Sequence, residues 1–312
     1  MSGVRREGLV LGNIGKAPAE SSGGPLPSEE EQQAVRERAA TALERGLAFV
    51  DAHGAPLTRL RARAVLGAVT AEECALEVAG QQRPDGSFPL LGLADGGAPG
   101  FASPEQAGLD VAGRGTLEAL VVLSDLGMQH HPCVEGAARF MQSIQGADGS
   151  WGLAEKSPEA RIFPTGMVAG LLGRTRVARP ELLESAGEFL EGLFNPERVS
   201  ESRWEVLTAF GLFFTNVGHE LSDTALQWIG RELERGHRTR ARETVLTLRT
   251  LLHCQTLAIP GASLDPFLLL TDLLGEQGAD GGFAELAAGE NALRVEPTLD
   301  AMAGTIHLCG SF

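Results

Sequence analysis

The chain has 312 residues, 43% of them hydrophobic but only 5% aromatic and none of them Tyr, enough for one large core or two small ones. Its formal net charge of −15 sets it against phosphate backbones, so nucleic acid is not an expected partner. Lys16 and Lys156 are its only lysines, so arginine carries the positive charge and a single Arg means less than usual.

Residues 1–28, ending in "APAESSGGPLPS", read as a flexible tail. Arg5, Arg6 and the short "GLVLGNIG" do not make a signal peptide, and no apolar run reaches the roughly 20 residues of a membrane span. The expected compartment is the cytoplasm. The cysteines Cys74, Cys133, Cys254 and Cys309 are far apart and inside or beside apolar runs, as buried thiols rather than a disulfide framework.

From Ser28, a helix cap followed by Glu29, Glu30 and Glu31, the pattern is helical with Gly or Pro at the breaks. A more polar set is expected at 29–52, 71–82, 132–145, 180–194, 221–235 and 264–276. Each is followed by a more apolar helix, at 57–69, 115–127, 164–175, 204–217, 243–256 and 297–308. Six such hairpins imply two concentric rings with the apolar one inside. The small residues Gly166, Ala169, Gly170, Thr208, Ala209, Gly211, Ala301 and Gly304 of the apolar set either leave the centre open or permit close helix packing.

One phrase recurs: "QQRPDGSF" at 81–88, "QGADGSWG" at 145–152 and "EQGADGGF" at 276–283. Asp-Gly makes a tight turn, because Asp bonds its own backbone and Gly takes positive φ. Asp148 and Asp280 are 132 residues apart, three units of 44, and without the Gly/Pro-rich insertion 89–108 the spacing of Asp85 and Asp148 falls to 43. A unit near 44 residues suits a helical hairpin repeat. The insertion is expected to cover or border a barrel mouth.

These turns resemble the QW-type repeat of the terpenoid cyclase and protein prenyltransferase superfamily, on Gln82, Asp85 and Phe88, Gln145, Asp148 and Trp151, and Gln277, Asp280 and Phe283. The resemblance implies an all-α (α/α)6 barrel over residues 29–312 as one domain, with these turn residues structural. It also implies an enzyme that cyclises or isomerises an isoprenoid or other apolar small molecule with an anionic head, diphosphate or carboxylate, in a central cavity by acid catalysis. The Asp-rich acid motif of the family is missing, as are its zinc ligands, and no metal or cofactor is expected. His307 and Cys309 do not share a helix face, and His130-His131 reads as a surface pair.

Arg161, Arg240 and Arg294 stand four residues before Thr165, Thr244 and Thr298, with Arg114 and Arg203 at nearly the same point of two more hairpins. As a ring they would clamp an anion bidentately; the other reading has each capping a helix or pairing with an acid such as Glu243 or Glu296. The acid candidates are Glu296 and Asp300, one helical turn apart, then Glu243 and Glu205, with Glu118 on the same set of inner starts. Trp204 and Phe210, with Phe213 and Phe214, would line an apolar pocket or pack the core. The alternative to an enzyme is a non-catalytic toroid that binds a hydrophobic ligand, peptide or partner protein.

Overall fold

The computed structural model describes residues 27–92, 108–197, 204–241, 243–284 and 290–312. Among them are twelve α-helices and no strand: α1 (Glu29–His53), α2 (Pro56–Val65), α3 (Ala71–Ala79), α4 (Val111–Asp125), α5 (Pro132–Ser143), α6 (Pro158–Gly173), α7 (Pro180–Glu191), α8 (Trp204–Asn216), α9 (Ser222–Arg238), α10 (Thr244–His253), α11 (Pro266–Gly275) and α12 (Asn291–Cys309). The chain is all-α. The expected tail, all but its last two residues, and residues 93–107 of the expected insertion lie outside the described residues.

Local chemistry explains the starts. Ser28 accepts the Glu31 N–H while the Glu31 carboxylate takes the Ser28 N–H, a capping box repeated by Thr70 and Glu73 at α3. Pro occupies the first turn of α2, α5, α6, α7 and α11, where its missing N–H costs nothing. Burial divides the helices: α4 buries eleven of its fifteen residues and α1 six of its 25, and in each successive pair the even-numbered helix is the more buried. Even-numbered helices are neighbours in the order α4, α6, α8, α10, α12 and α2, and Arg61 of α2 reaches Asp125 of α4 at 3.5 Å. Among the odd helices, α1 touches α11.

The small residues allow close approach. A methyl group on Gly166 would lie 2.6 Å from the Ala209 carbonyl oxygen, and one on Gly170 2.7 Å from the Leu212 side chain, so α6 and α8 meet almost backbone to backbone. Of the two roles open to these residues, close packing is what these glycines do.

Three helices start well before the sequence implies, α4 at Val111, α6 at Pro158 and α12 at Asn291 instead of 115, 164 and 297. Pro164 and Pro297 read as first-turn residues, but they sit inside α6 and α12. In α6 the real start is set upstream by Ser157, whose side chain accepts the Ala160 N–H, with Pro158 in the first turn. That puts Arg161 and Arg294 on the helices themselves, and their side chains reach back over the preceding turn.

The three repeated turns share one construction. The Gln amide donates twice: Gln82 to Gly86 O and Cys133 O (3.1 and 2.8 Å), Gln145 to Gly149 O and Leu182 O (2.8 and 3.0 Å), and Gln277 to Gly281 O and Ala42 O (both 2.9 Å). Each Gln therefore holds its own turn and ties it to the next odd helix; for the last turn that helix is α1. The Asp-Gly glycines have φ of 89°, 81° and 93°. A methyl on Gly149 would lie 2.1 Å from Ser185 O, so positive φ and close approach both demand glycine. Phe88, Trp151 and Phe283 are buried, and their backbone N–H groups donate to Thr116, Thr165 and Thr298 Oγ1 at 3.0, 2.9 and 3.0 Å.

Candidate functional site

Carboxylates and guanidiniums in otherwise apolar helices meet in the interior. Arg61 of α2 binds both oxygens of Glu296 (2.9 and 2.8 Å), and Thr58 donates to the same carboxylate. Arg249 of α10 pairs with Asp300 of α12 at 3.2 Å. Arg174, the residue that ends α6, donates to Ser124 Oγ (2.7 Å), Asn216 Oδ1 (3.0 Å) and the His253 carbonyl, so it binds together α4, α8 and α10. Buried charges persist only when paired or hydrogen-bonded, and here those contacts join all six even-numbered helices.

A cavity of about 70 Å³ opens beside this network. Arg61, Arg249 and Asp300 form its polar depth; Asp125, His253, Gln255 and His307 are further polar lining, and Val65, Leu252 and Leu299 the apolar part. Val65, Asp125 and His253 are the last residues of α2, α4 and α10, and His307 is in the last turn of α12. Four helix C-termini thus face one space, and their macrodipoles make it favourable for positive charge.

Asp125 is the distinctive group. Its Oδ1 lies 3.8 Å from His253 Nδ1 and its Oδ2 3.5 Å from Arg61. Desolvation pushes its carboxyl up to about 7, opposed by Arg61 and reinforced by Asp300. Nearly a third of the side chain (31%) still meets water in the cavity, which moderates that desolvation. His253 is held well below the usual imidazole range by burial first and then by Arg249, Arg174 and Arg61, so it is neutral at pH 7. Its Nε2 has no hydrogen-bond partner. Burial also raises Asp300. A carboxyl poised near neutrality beside a neutral imidazole can donate and retrieve a proton.

Of the residues marked from sequence, Asp300 lines the cavity and Glu296 sits behind it on Arg61. Glu243 and Glu205 are at the opposite ends of α10 and α8, N-cap and first turn, not at the cavity. Glu118 is buried, accepts the Leu91 N–H at 2.9 Å, and is raised by desolvation. The arginine set is divided among separate carboxylates. Arg161 binds Asp148 (2.7 Å) and Arg294 binds Asp280 (2.6 and 3.0 Å), each fastening its helix to the preceding turn. Arg240 has a different place: it follows α9 with φ of 53° and binds Asp272 at 2.6 Å. Its offset from Thr244 matches the others only in number, because Thr244 begins α10 whereas Thr165 and Thr298 lie inside their helices. Arg114 is on the first turn of α4, on the Glu118 side. Arg203 and the Trp204 side chain lie outside the described residues.

Phe210 is fully buried, 5.4 Å from the Phe194 ring and 6.1 Å from Phe214, a core cluster rather than cavity lining. Three of the four cysteines are buried and Cys309 is half-buried. No group of three or more His, Cys, Asp or Glu suited to a metal occurs among the described residues.

Sequence reading missed Asp125, His253, Arg61 and Arg249. Asp125 and His253 have a signal, an ionisable residue at the end of a largely apolar helix, as in "VVLSD" and "TLLH"; Arg249 is ionisable within such a helix, and Arg61, between Arg59 and Arg63 in α2, has no signal.

No protein-family model and no curated protein matches the chain. A crystal structure of a protein from Actinoplanes is similar in fold, with a TM-score of 0.52 at 13% identity, over 87% of this chain and 99% of that one. No helix among the described residues is long and apolar enough to cross a membrane.

Proposed function

We propose that the chain is an (α/α)6 toroid of the terpenoid cyclase and prenyltransferase type, and that its working centre is the Asp125 cavity. Support for the ring comes from the heavier burial of each even-numbered helix than of the odd one before it and from Gln277, which ties the last turn to α1 as Gln145 ties an internal one to α7. On this reading the odd helices form the outer ring and the even helices the inner one.

The chemistry proposed is acid–base catalysis, an isomerisation or cyclisation begun by proton donation from Asp125. The observation that carries it is the raised carboxyl of Asp125 facing neutral His253 in a water-reached cavity. A substrate that gains positive charge as it accepts the proton is favoured there by the four helix C-termini. Arg61 and Arg249 balance Glu296 and Asp300 and so keep the cavity floor close to neutral. The anion clamp of Arg161, Arg240 and Arg294 is no part of this proposal, because each is already bound to an aspartate.

Cavity volume favours a second reading. At about 70 Å³ it holds a few waters, against roughly 300–1,000 Å³ for a drug-sized ligand site. A non-catalytic toroid that seats only one small group of a ligand or of a partner protein fits that volume. The test is incubation with dimethylallyl and geranyl diphosphate, with products and retained ligand followed by mass spectrometry for the wild type and Asp125→Asn. Turnover abolished in Asp125→Asn supports the acid role. Retention without turnover, equal in both proteins, favours the binding reading.

A further inference from the structure

A second cluster lies on the odd helices, away from the cavity. His131 caps the N-terminus of α5, and its Nδ1 accepts the Cys133 backbone N–H at 3.4 Å. That nitrogen is therefore the unprotonated one, and it faces Cys133 Sγ at 3.0 Å. The opposite nitrogen, Nε2, lies 4.0 Å from Glu72 Oε1 of α3, at the outer edge of ion-pair range and beyond hydrogen-bond distance. Nucleophile, base and a carboxylate behind the base thus stand in line, the arrangement that activates thiols by proton removal.

The backbone around it is fixed. Cys133 O accepts from Gln82 of the first repeated turn (2.8 Å), and Pro132 holds the first turn of α5. The imidazole is only 10% exposed and Cys133 only 7%, so the pair is largely shielded from solvent and small oxidants are favoured over bulky ones. The helix N-terminus favours negative charge on sulfur or on an oxidised product.

We propose that Cys133, His131 and Glu72 form a hydroperoxide-reactive thiol site. The sulfur attacks one oxygen of hydrogen peroxide; the S–O bond forms as the O–O bond breaks. His131 Nδ1 takes the thiol proton and passes it to the departing hydroxide, so the products are a sulfenic acid and water. Sulfur is oxidised and the peroxide reduced. Glu72 is a positioning residue: its charge, 4.0 Å from Nε2, stabilises the imidazolium formed in transit. Burial pushes the Cys133 thiol up to about 11, so standing thiolate is scarce at pH 7 and the base has to act within the encounter.

The test treats the full chain with hydrogen peroxide for set times and then unfolds it in urea containing dimedone, so that sulfenic acid is trapped and located by mass spectrometry at every cysteine whatever its burial. Trapping at Cys133 is expected at least tenfold faster than at Cys74 or at the more exposed Cys309. His131→Asn keeps a good cap but removes the base, and is expected to slow Cys133 about 100-fold with the melting temperature unchanged. Glu72→Gln, on a side chain 58% exposed, tests the positioning role without threat to folding and is expected to slow it several-fold. The proposal is overturned if Cys309 is oxidised faster than Cys133, or if His131→Asn or Glu72→Gln reacts as fast as the wild type.

Discussion

Gln277→Ala removes the two hydrogen bonds that join the last turn to itself and to α1, both 2.9 Å from Nε2. At about 0.5–1.5 kcal/mol each, the loss comes to roughly 1–3 kcal/mol. Gln145→Ala removes the same pair of bonds (2.8 and 3.0 Å) at an internal joint, between α5 and α7. If the first and last hairpins dock as successive ones do, the two substitutions cost the same within about 0.5 kcal/mol. Urea unfolding followed by circular dichroism measures both, with unchanged m-values as the check that one cooperative unit is unfolding. A cost near zero for Gln277→Ala beside 2 kcal/mol for Gln145→Ala would refute the reasoning, since the chain ends would then not be held by that joint.

Trp151→Ala empties a site that is completely buried and leaves the Met141 carbonyl without its 2.8 Å indole partner, so a loss of roughly 3–5 kcal/mol is expected in the same urea experiment. The hydrogen bond from Arg294, first among its causes, holds the Asp280 carboxyl down at about 2, below its ordinary 3.8. A depressed carboxyl stabilises the fold above about pH 4 and loses that contribution as pH falls towards 2. Arg294→Leu is therefore less stable than the wild type at pH 7, and the gap in melting temperature narrows between pH 4 and pH 2; a gap that is constant with pH rejects the pair as its source.

The helices were legible because local chemistry sets them: Ser28 with Glu31, first-turn prolines, and Gly breaks; the expected polar and apolar alternation was not, since α2 carries three arginines and α11 reads "PFLLLTDLLG". The repeated turns were legible for the same reason, since Gln, Asp, Gly and aromatic all act within eight residues of one another or on the adjacent helix. The starts of α6 and α12 were not, because Pro164 and Pro297 imitate first-turn prolines while the true start of α6 is made upstream by Ser157. Arg240 shows the limit of spacing as evidence. Its four-residue offset to Thr244 equals that of Arg161 to Thr165 and Arg294 to Thr298, yet it lies in the turn after α9 while they lie within helices.

The cavity was not legible at all. Asp125 ends α4 in "SDLG", which locally is only a helix stop, and His253 ends α10 in "LLHCQ". What makes them partners is the convergence of four helix ends from distant parts of the chain. Asp300 was singled out as an acid, and it lines the cavity, but its pairing with Arg249 of another hairpin depends on the same convergence.

The account turns on the protonation of one carboxyl. Carbon-13 NMR of the side-chain carboxylates of the full chain, titrated from pH 4 to 9, reads it directly, with Asp125→Asn to assign the resonance. The account predicts that the signal lost in Asp125→Asn titrates with a midpoint near 7 in the wild type. A midpoint in the ordinary aspartate range, near 4, would contradict it, since Asp125 would then have no proton to give at neutral pH.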